Sequence, residues 1–117
     1  MKIQASASIT GVSVSADNGS EIPLGFELSQ NYPNPFNPTT SIAFRIQGNE
    51  FADAQLTVYN LLGQAIRVLV NQPMAAGSYT VLWDGRDGSG NLAASGAYIY
   101  RLQIGNDIQS RQMLLLK

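Results

Sequence analysis

Apolar residues recur at every second position through most of this chain, and that period predicts strands whose two faces differ. Between Thr40 and Ile46, Ile42, Phe44 and Ile46 alternate with Ser41, Ala43 and Arg45. Between Ser78 and Asp84, Tyr79, Val81 and Trp83 alternate with Thr80 and Leu82. From Ala97 to Ile104, Tyr98, Tyr100, Leu102 and Ile104 face away from Ile99, Arg101 and Gln103. Three weaker alternations predict strands over Pro23–Gln30 (Leu24, Phe26, Leu28 inward), Ala54–Leu61 (Leu56 and Val58 inward, Thr57 and Tyr59 outward) and Ala65–Val70 (Ile66, Val68 and Val70 in phase). A seventh strand runs from Ile108 to Leu116. Turn signals separate them: Gln47-Gly48-Asn49-Glu50, Asn60-Leu61-Leu62-Gly63-Gln64, the connection Asn71–Gly77 with Pro73, the dense Asp84–Asn91 loop and the tight Gly105-Asn106-Asp107. No segment carries a helical period. Seven strands at roughly 8–14-residue spacing predict an all-β antiparallel sandwich of the immunoglobulin-like kind.

One stretch breaks the alternation. Asn31-Tyr32-Pro33-Asn34-Pro35-Phe36-Asn37-Pro38 holds three of the chain's five prolines. Each proline fixes φ, removes a donor and keeps the preceding residue out of the α region. Neither a helix nor a central strand can pass through it. The segment reads as a stiff ribbon leading into the β-domain, with Tyr32 and Phe36 expected to pin it to the core and asparagine amides free to bond nearby backbone.

Composition narrows the function more than it narrows the fold. The 117 residues fit one domain with one core, preceded by a Ser-, Ala- and Gly-rich linker or loosely held segment over 1–21. Charged residues are 13% of the chain, about half the usual ~25%. The net charge of −1 gives no electrostatic case for nucleic acid. Histidine and cysteine are absent, which removes His-based triads, Cys nucleophiles, zinc sites built on either residue and disulfides. Lysine occurs only as Lys2 and Lys117. No apolar run reaches the ~20 residues of a membrane span. No cofactor is expected.

Three groups of residues invite a chemical reading. In the Asp84–Asn91 loop, Asp84, Asp87 and Asn91 are weak candidates for calcium, but neither register supplies the oxygens and the glycine that an EF-hand loop needs. A glycine-rich turn whose aspartates accept backbone N–H bonds explains them without metal. Trp83, Tyr79, Tyr98 and Tyr100 would stack on sugars if exposed; for Trp83, its in-phase partners Val81 and Tyr79 favour burial. Finally, Met113, Leu114, Leu115 and Leu116 are apolar in succession, bracketed by Arg111 and Lys117. Such a strand is either buried on both faces or an exposed edge open to docking.

Five blocks in order, Leu28–Thr40 (LSQNYPNPFNPTT), Val58–Val70 (VYNLLGQAIRVLV), Trp83–Asn91 (WDGRDGSGN), Ser95–Leu102 (SGAYIYRL) and Arg111–Lys117 (RQMLLLK), resemble the C-terminal sorting domains of the type IX secretion system. That family occurs in Bacteroidetes and overlaps the immunoglobulin-like domain of the flagellar hook-capping protein. The resemblance covers residues 22–117. It implies a seven-stranded sandwich at the end of a larger exported protein, commonly a polysaccharide-degrading enzyme or protease. It implies recognition by the outer-membrane translocon, processing by a sortase-like enzyme, and release or anchoring at the cell surface. The residues it marks for recognition are Gly96, Tyr98, Arg111, Met113, Leu115 and Lys117. Those it marks as a structural motif are Asn31, Pro33, Asn34, Pro35, Phe36, Asn37 and Pro38. The competing expectation is an appended structural or carbohydrate-binding module of a secreted multidomain enzyme. A catalytic domain is disfavoured by the missing histidine and cysteine.

Overall fold

The computed structural model describes residues 25–48 and 51–117. The linker expected over 1–21, and Pro23 and Leu24 of the first expected strand, lie outside them. Seven strands form: β1 (Phe26–Leu28), β2 (Thr40–Ile46), β3 (Ala52–Asn60), β4 (Ala65–Met74), β5 (Gly77–Trp83), β6 (Gly96–Ile104) and β7 (Asp107–Leu115). They make two antiparallel sheets, ordered β1-β2-β5 and β4-β3-β6-β7. The fold is an immunoglobulin-like β-sandwich.

Alternation converts directly into the core. Ile42, Phe44 and Ile46 of β2 and Trp83 of β5 face Ala54, Leu56 and Val58 of β3 and Tyr98, Tyr100, Leu102 and Ile104 of β6, all buried. Each fully buried large apolar side chain contributes about 1.5–3 kcal/mol of transfer free energy. An aromatic chain runs through the middle: Phe36 lies 5.6 Å from Trp83, and Trp83 meets Tyr98 edge-on at 5.6 Å between ring centroids. The core reading of Trp83 therefore holds, and the stacking-on-sugar reading of Trp83, Tyr98 and Tyr100 is excluded by their burial.

Several boundaries differ from the alternation's forecast. β4 continues to Met74 through Pro73, which the sequence reading assigned to a connection. As the outer strand of its sheet, β4 has one side without a ladder partner, where a missing N–H is tolerated. The β3–β4 ladder carries register shifts at Leu56/Thr57 and Val58/Tyr59. Those irregularities break the expected phase, so Val68 turns out to solvent while Ile66, Leu69 and Val70 pack on the core. Thr57, expected outward and open, is buried between its cross-strand partners Val68 and Arg101.

Candidate functional site

Parts of all five sequence blocks that marked the resemblance come together at one end of the sandwich, the proline ribbon among them. Within the ribbon, Tyr32 exchanges two backbone hydrogen bonds with Ser41, each 2.9 Å, which fixes the turn back into β2. The three X-Pro bonds are cis. Asn31 is buried, and its side-chain Nδ2 donates to Pro33 O at 3.1 Å and to Thr40 Oγ1 at 3.0 Å. Thr40 Oγ1 donates in turn to Pro33 O at 2.9 Å. The Tyr100 hydroxyl reaches across from β6, accepting from Asn31 N at 2.8 Å and donating to Ser29 O at 2.6 Å. Burial raises the Tyr100 pKa above the ordinary tyrosine value, against the smaller lowering effects of the Asn31 N–H and the Arg111 charge. Burial raises Tyr98 as well.

The ribbon does not simply lead into the domain; it pairs with the last strand. Phe36 N donates to Leu114 O at 3.0 Å, and Leu116 N donates to Phe36 O at 2.9 Å, a parallel bridge centred on Phe36 and Leu115. Leu114 N donates to Asn34 Oδ1 at 3.0 Å. Gln30 Nε2 donates to Gln112 O at 2.8 Å. Further along, Gln109 Oε1 accepts from Leu28 N at 3.0 Å, and Arg111 Nε donates to Leu28 O at 2.6 Å. β7 is thus an edge strand of its sheet whose outer backbone groups near the C-terminal half are already satisfied. On the other flank, Pro38 backs onto Gly85, where an added Cβ would sit 2.8 Å from Pro38 O.

The residues singled out from sequence fall into different places. Phe36 is buried as expected, but Tyr32, expected beside it as an anchor, is 80% exposed. Its backbone is what holds it. Tyr98, Met113 and Leu115 are buried, so a partner of the folded domain cannot touch their side chains. The Arg111 guanidinium is engaged on Leu28 O, and Gly96 opens β6 opposite Leu115. Lys117 is exposed. β7 is apolar on both faces but buried on one: Leu114 and Leu116 lie in the open. The β3–β4 turn brings two further exposed leucines, Leu61 and the 83%-exposed Leu62, to the same end, since Asn60, Tyr98 and Met113 align across the sheet. Sequence reasoning passed over these two, although adjacent leucines in a glycine turn are a legible signal.

In the loop after β5, Asp87 Oδ1 accepts from Ser89 N at 2.9 Å and Asn91 N at 3.0 Å. Asp84 Oδ1 accepts from Arg86 N at 3.0 Å and lies 3.5 Å from Arg67 Nη1. These carboxylates cap their own turn. Among the described residues, no three His, Cys, Asp or Glu side chains converge as a metal site. Nor is any helix among them long and apolar enough to cross a membrane.

An antiparallel sandwich closed by a ribbon against its last strand defines an immunoglobulin-like module. The FlgD Ig-like domain profile matches residues 29–107, and the chain belongs to that family. Among solved structures it is similar to latent PorU of Porphyromonas gingivalis at 14% identity and a TM-score of 0.59, over 88% of this chain and 10% of that one. It is also similar to PorZ of Porphyromonas gingivalis, described as an essential surface component of the type IX secretion system (20% identity, TM-score 0.49, 80% and 12% coverage). FlgD of P. aeruginosa matches at 26% identity and a TM-score of 0.47, over 66% of this chain and 60% of that one. The chain thus spans about a tenth of the two Porphyromonas proteins. No curated protein sequence matches it significantly. The PorU likeness shows a shared fold.

Proposed function

We propose that this domain is a non-catalytic sorting module that carries a larger exported protein through the outer membrane by type IX secretion and to the cell surface. The observation that carries the reading is the convergence of five separate sequence blocks at one end of the fold. Ribbon, β3–β4 turn, Trp83 loop, the Gly96-Ala97-Tyr98 start of β6 and the end of β7 lie at that end, each paired or packed with another of them. Its buried members, Phe36, Trp83, Tyr98, Met113 and Leu115, shape it. Its exposed members, Leu61, Leu62, Leu114, Leu116 and Lys117, are what a translocon subunit would contact. A catalytic role has no histidine or cysteine to draw on. The upstream cargo and the sortase-like processing enzyme are partners that this reading supplies.

The test fuses the whole chain to an unrelated reporter with an export signal in a bacterium that has a type IX system. The expected result is reporter at the cell surface. Leu116→Ser with Lys117→Ala should keep the fold and hold the reporter in the periplasm. Retention of the unaltered fusion in the periplasm overturns the proposal. Deleting Met113–Lys117 would be a poor test, because it also removes the buried Met113 and Leu115.

A further inference from the structure

The outer face of the four-stranded sheet is polar at the end away from the ribbon. There a cleft of about 550 Å³ is lined by Asp53, Gln55, Asn71, Gln72, Gln103 and Asn106, together with neighbouring residues. Asn71, Gln55 and Gln103 are direct cross-strand partners on β4, β3 and β6, so three amides form a row across the sheet, spaced about 4.8 Å apart. Gln103 Nε2 donates to Gly105 O at 3.2 Å, which orients that amide and leaves its oxygen open. No hydrogen bond among the described residues occupies the side-chain amides of Gln55, Asn71, Gln72 or Asn106. Phe51, just before β3 and two residues from the lining residue Asp53, is 72% exposed.

We infer that this cleft is a binding site for neutral polysaccharide, distinct from the export surface and independent of the export reading. Each amide offers a donor pair and an acceptor side by side, which matches the sugar hydroxyl, itself both donor and acceptor. Asp53 adds an acceptor for vicinal hydroxyls. With no cation in the lining and one carboxylate, an anionic polymer meets repulsion and no counter-charge. An extended peptide pairs with a sheet's edge, whereas this cleft lies on a face. Phe51 supplies a flat apolar surface for the C–H side of a ring, with the amphipathic sugar oriented by the amides. Trp83 and the inward tyrosines are buried and cannot serve this role.

The test is affinity electrophoresis of the whole chain through gels containing mixed-linkage β-glucan, arabinoxylan or galactomannan, with alginate as the anionic control. Retardation by at least one neutral polymer and none by alginate is expected. Gln55→Ala with Gln103→Ala should weaken that retardation at least about tenfold, since two ligand hydrogen bonds go. Phe51→Ala should weaken it severalfold, and Asp84→Ala should leave it unchanged. The Gln55, Gln103 and Phe51 side chains are at least partly exposed, so circular dichroism melting of those variants should match the unaltered chain. A second readout avoids mutation: side-chain amide NMR signals of Gln55 and Gln103 should shift when oligosaccharides cut from the retarding polymer are added. Unchanged mobility in all three neutral gels overturns the inference. So does retardation that survives the double substitution undiminished, equal retardation by alginate, or amide signals that stay in place.

Discussion

Replacing Tyr100 with phenylalanine removes one oxygen atom and tests how the ribbon is held. The ring is fully buried and would stay in place, so the loss is confined to the hydroxyl. That hydroxyl serves two backbone groups, Asn31 N at 2.8 Å and Ser29 O at 2.6 Å. Asn31 is buried, and its N–H would be left without a partner, which costs about 1–3 kcal/mol. Ser29 is exposed, so water can replace the lost donor at its carbonyl for a fraction of a kcal/mol. The sum is about 2 kcal/mol. In a domain of this size that corresponds to a fall in Tm of roughly 5–10 °C. Urea unfolding followed by Trp83 fluorescence measures it, with Tyr79→Phe as the comparison. Tyr79 OH also donates a 2.7 Å bond, but to the partly exposed Ala75 carbonyl, and its removal should cost under about 1 kcal/mol. A Tyr100→Phe loss below about 0.5 kcal/mol, or one no larger than that of Tyr79→Phe, refutes the idea that this hydroxyl pins the ribbon.

Gly85→Ala places a Cβ 2.8 Å from Pro38 O at a residue with φ of 78°, so calorimetry should show a loss of about 2 kcal/mol or more. Leu115→Ala empties a fully buried site and should cost about 2–5 kcal/mol in urea titration, whereas Leu116→Ser on the open side should stay within about 0.5 kcal/mol. Alkaline pH should destabilise the fold: burial raises the folded-state values of Tyr98 and Tyr100 above 10.0, so their contribution is whole below that pH and is lost as pH climbs through the raised values. Unfolding free energy that stays flat or rises between about pH 9.5 and 11.5, beyond tyrosine's ordinary value of ~10, would contradict this. Asp87→Ala removes the acceptor of two turn N–H groups and should lower Tm by a few degrees, with calcium giving no protection to the unaltered chain.

Strands with strict alternation were fully legible: β2 runs from Thr40 to Ile46, and β6 differs from its expected span by one residue at its start. A half-buried strand writes its burial into every second residue. The phase of β4 was not legible, because the bulges that leave Leu69 and Ile66 of β4 without a partner on β3 are a property of the pair. Pro73 misled in the same way, since the edge position that permits it is decided by sheet order. Of the candidate site, the ribbon and the terminal strand were each conspicuous. Their mutual bridge was not, because Phe36 and Leu115 become neighbours only after two sheets have packed. Nor could the sequence tell Tyr32 from Phe36: both are aromatics beside prolines, and only the bridge to Leu115 turns one inward. The amide cleft was invisible for a similar reason, its three central amides coming from three strands.

The bond between Asn34 and Leu114 joins residues 80 positions apart, and synthesis proceeds from the earlier to the later. At about 5–20 residues per second, the ribbon is made some 4–16 s before the strand that fixes it. During that interval Phe36 has neither its backbone partner nor a completed sheet to bury against. Phe36, made early, is therefore among the last residues to settle. A chain stopped short of Leu114 keeps the Tyr32–Ser41 and Asn31–Tyr100 bonds but lacks those from Asn34 and Phe36 to the last strand, so the middle of the ribbon is open to a chaperone or protease. Closure of the ribbon thus reports, at one end of the domain, that the other end has been made.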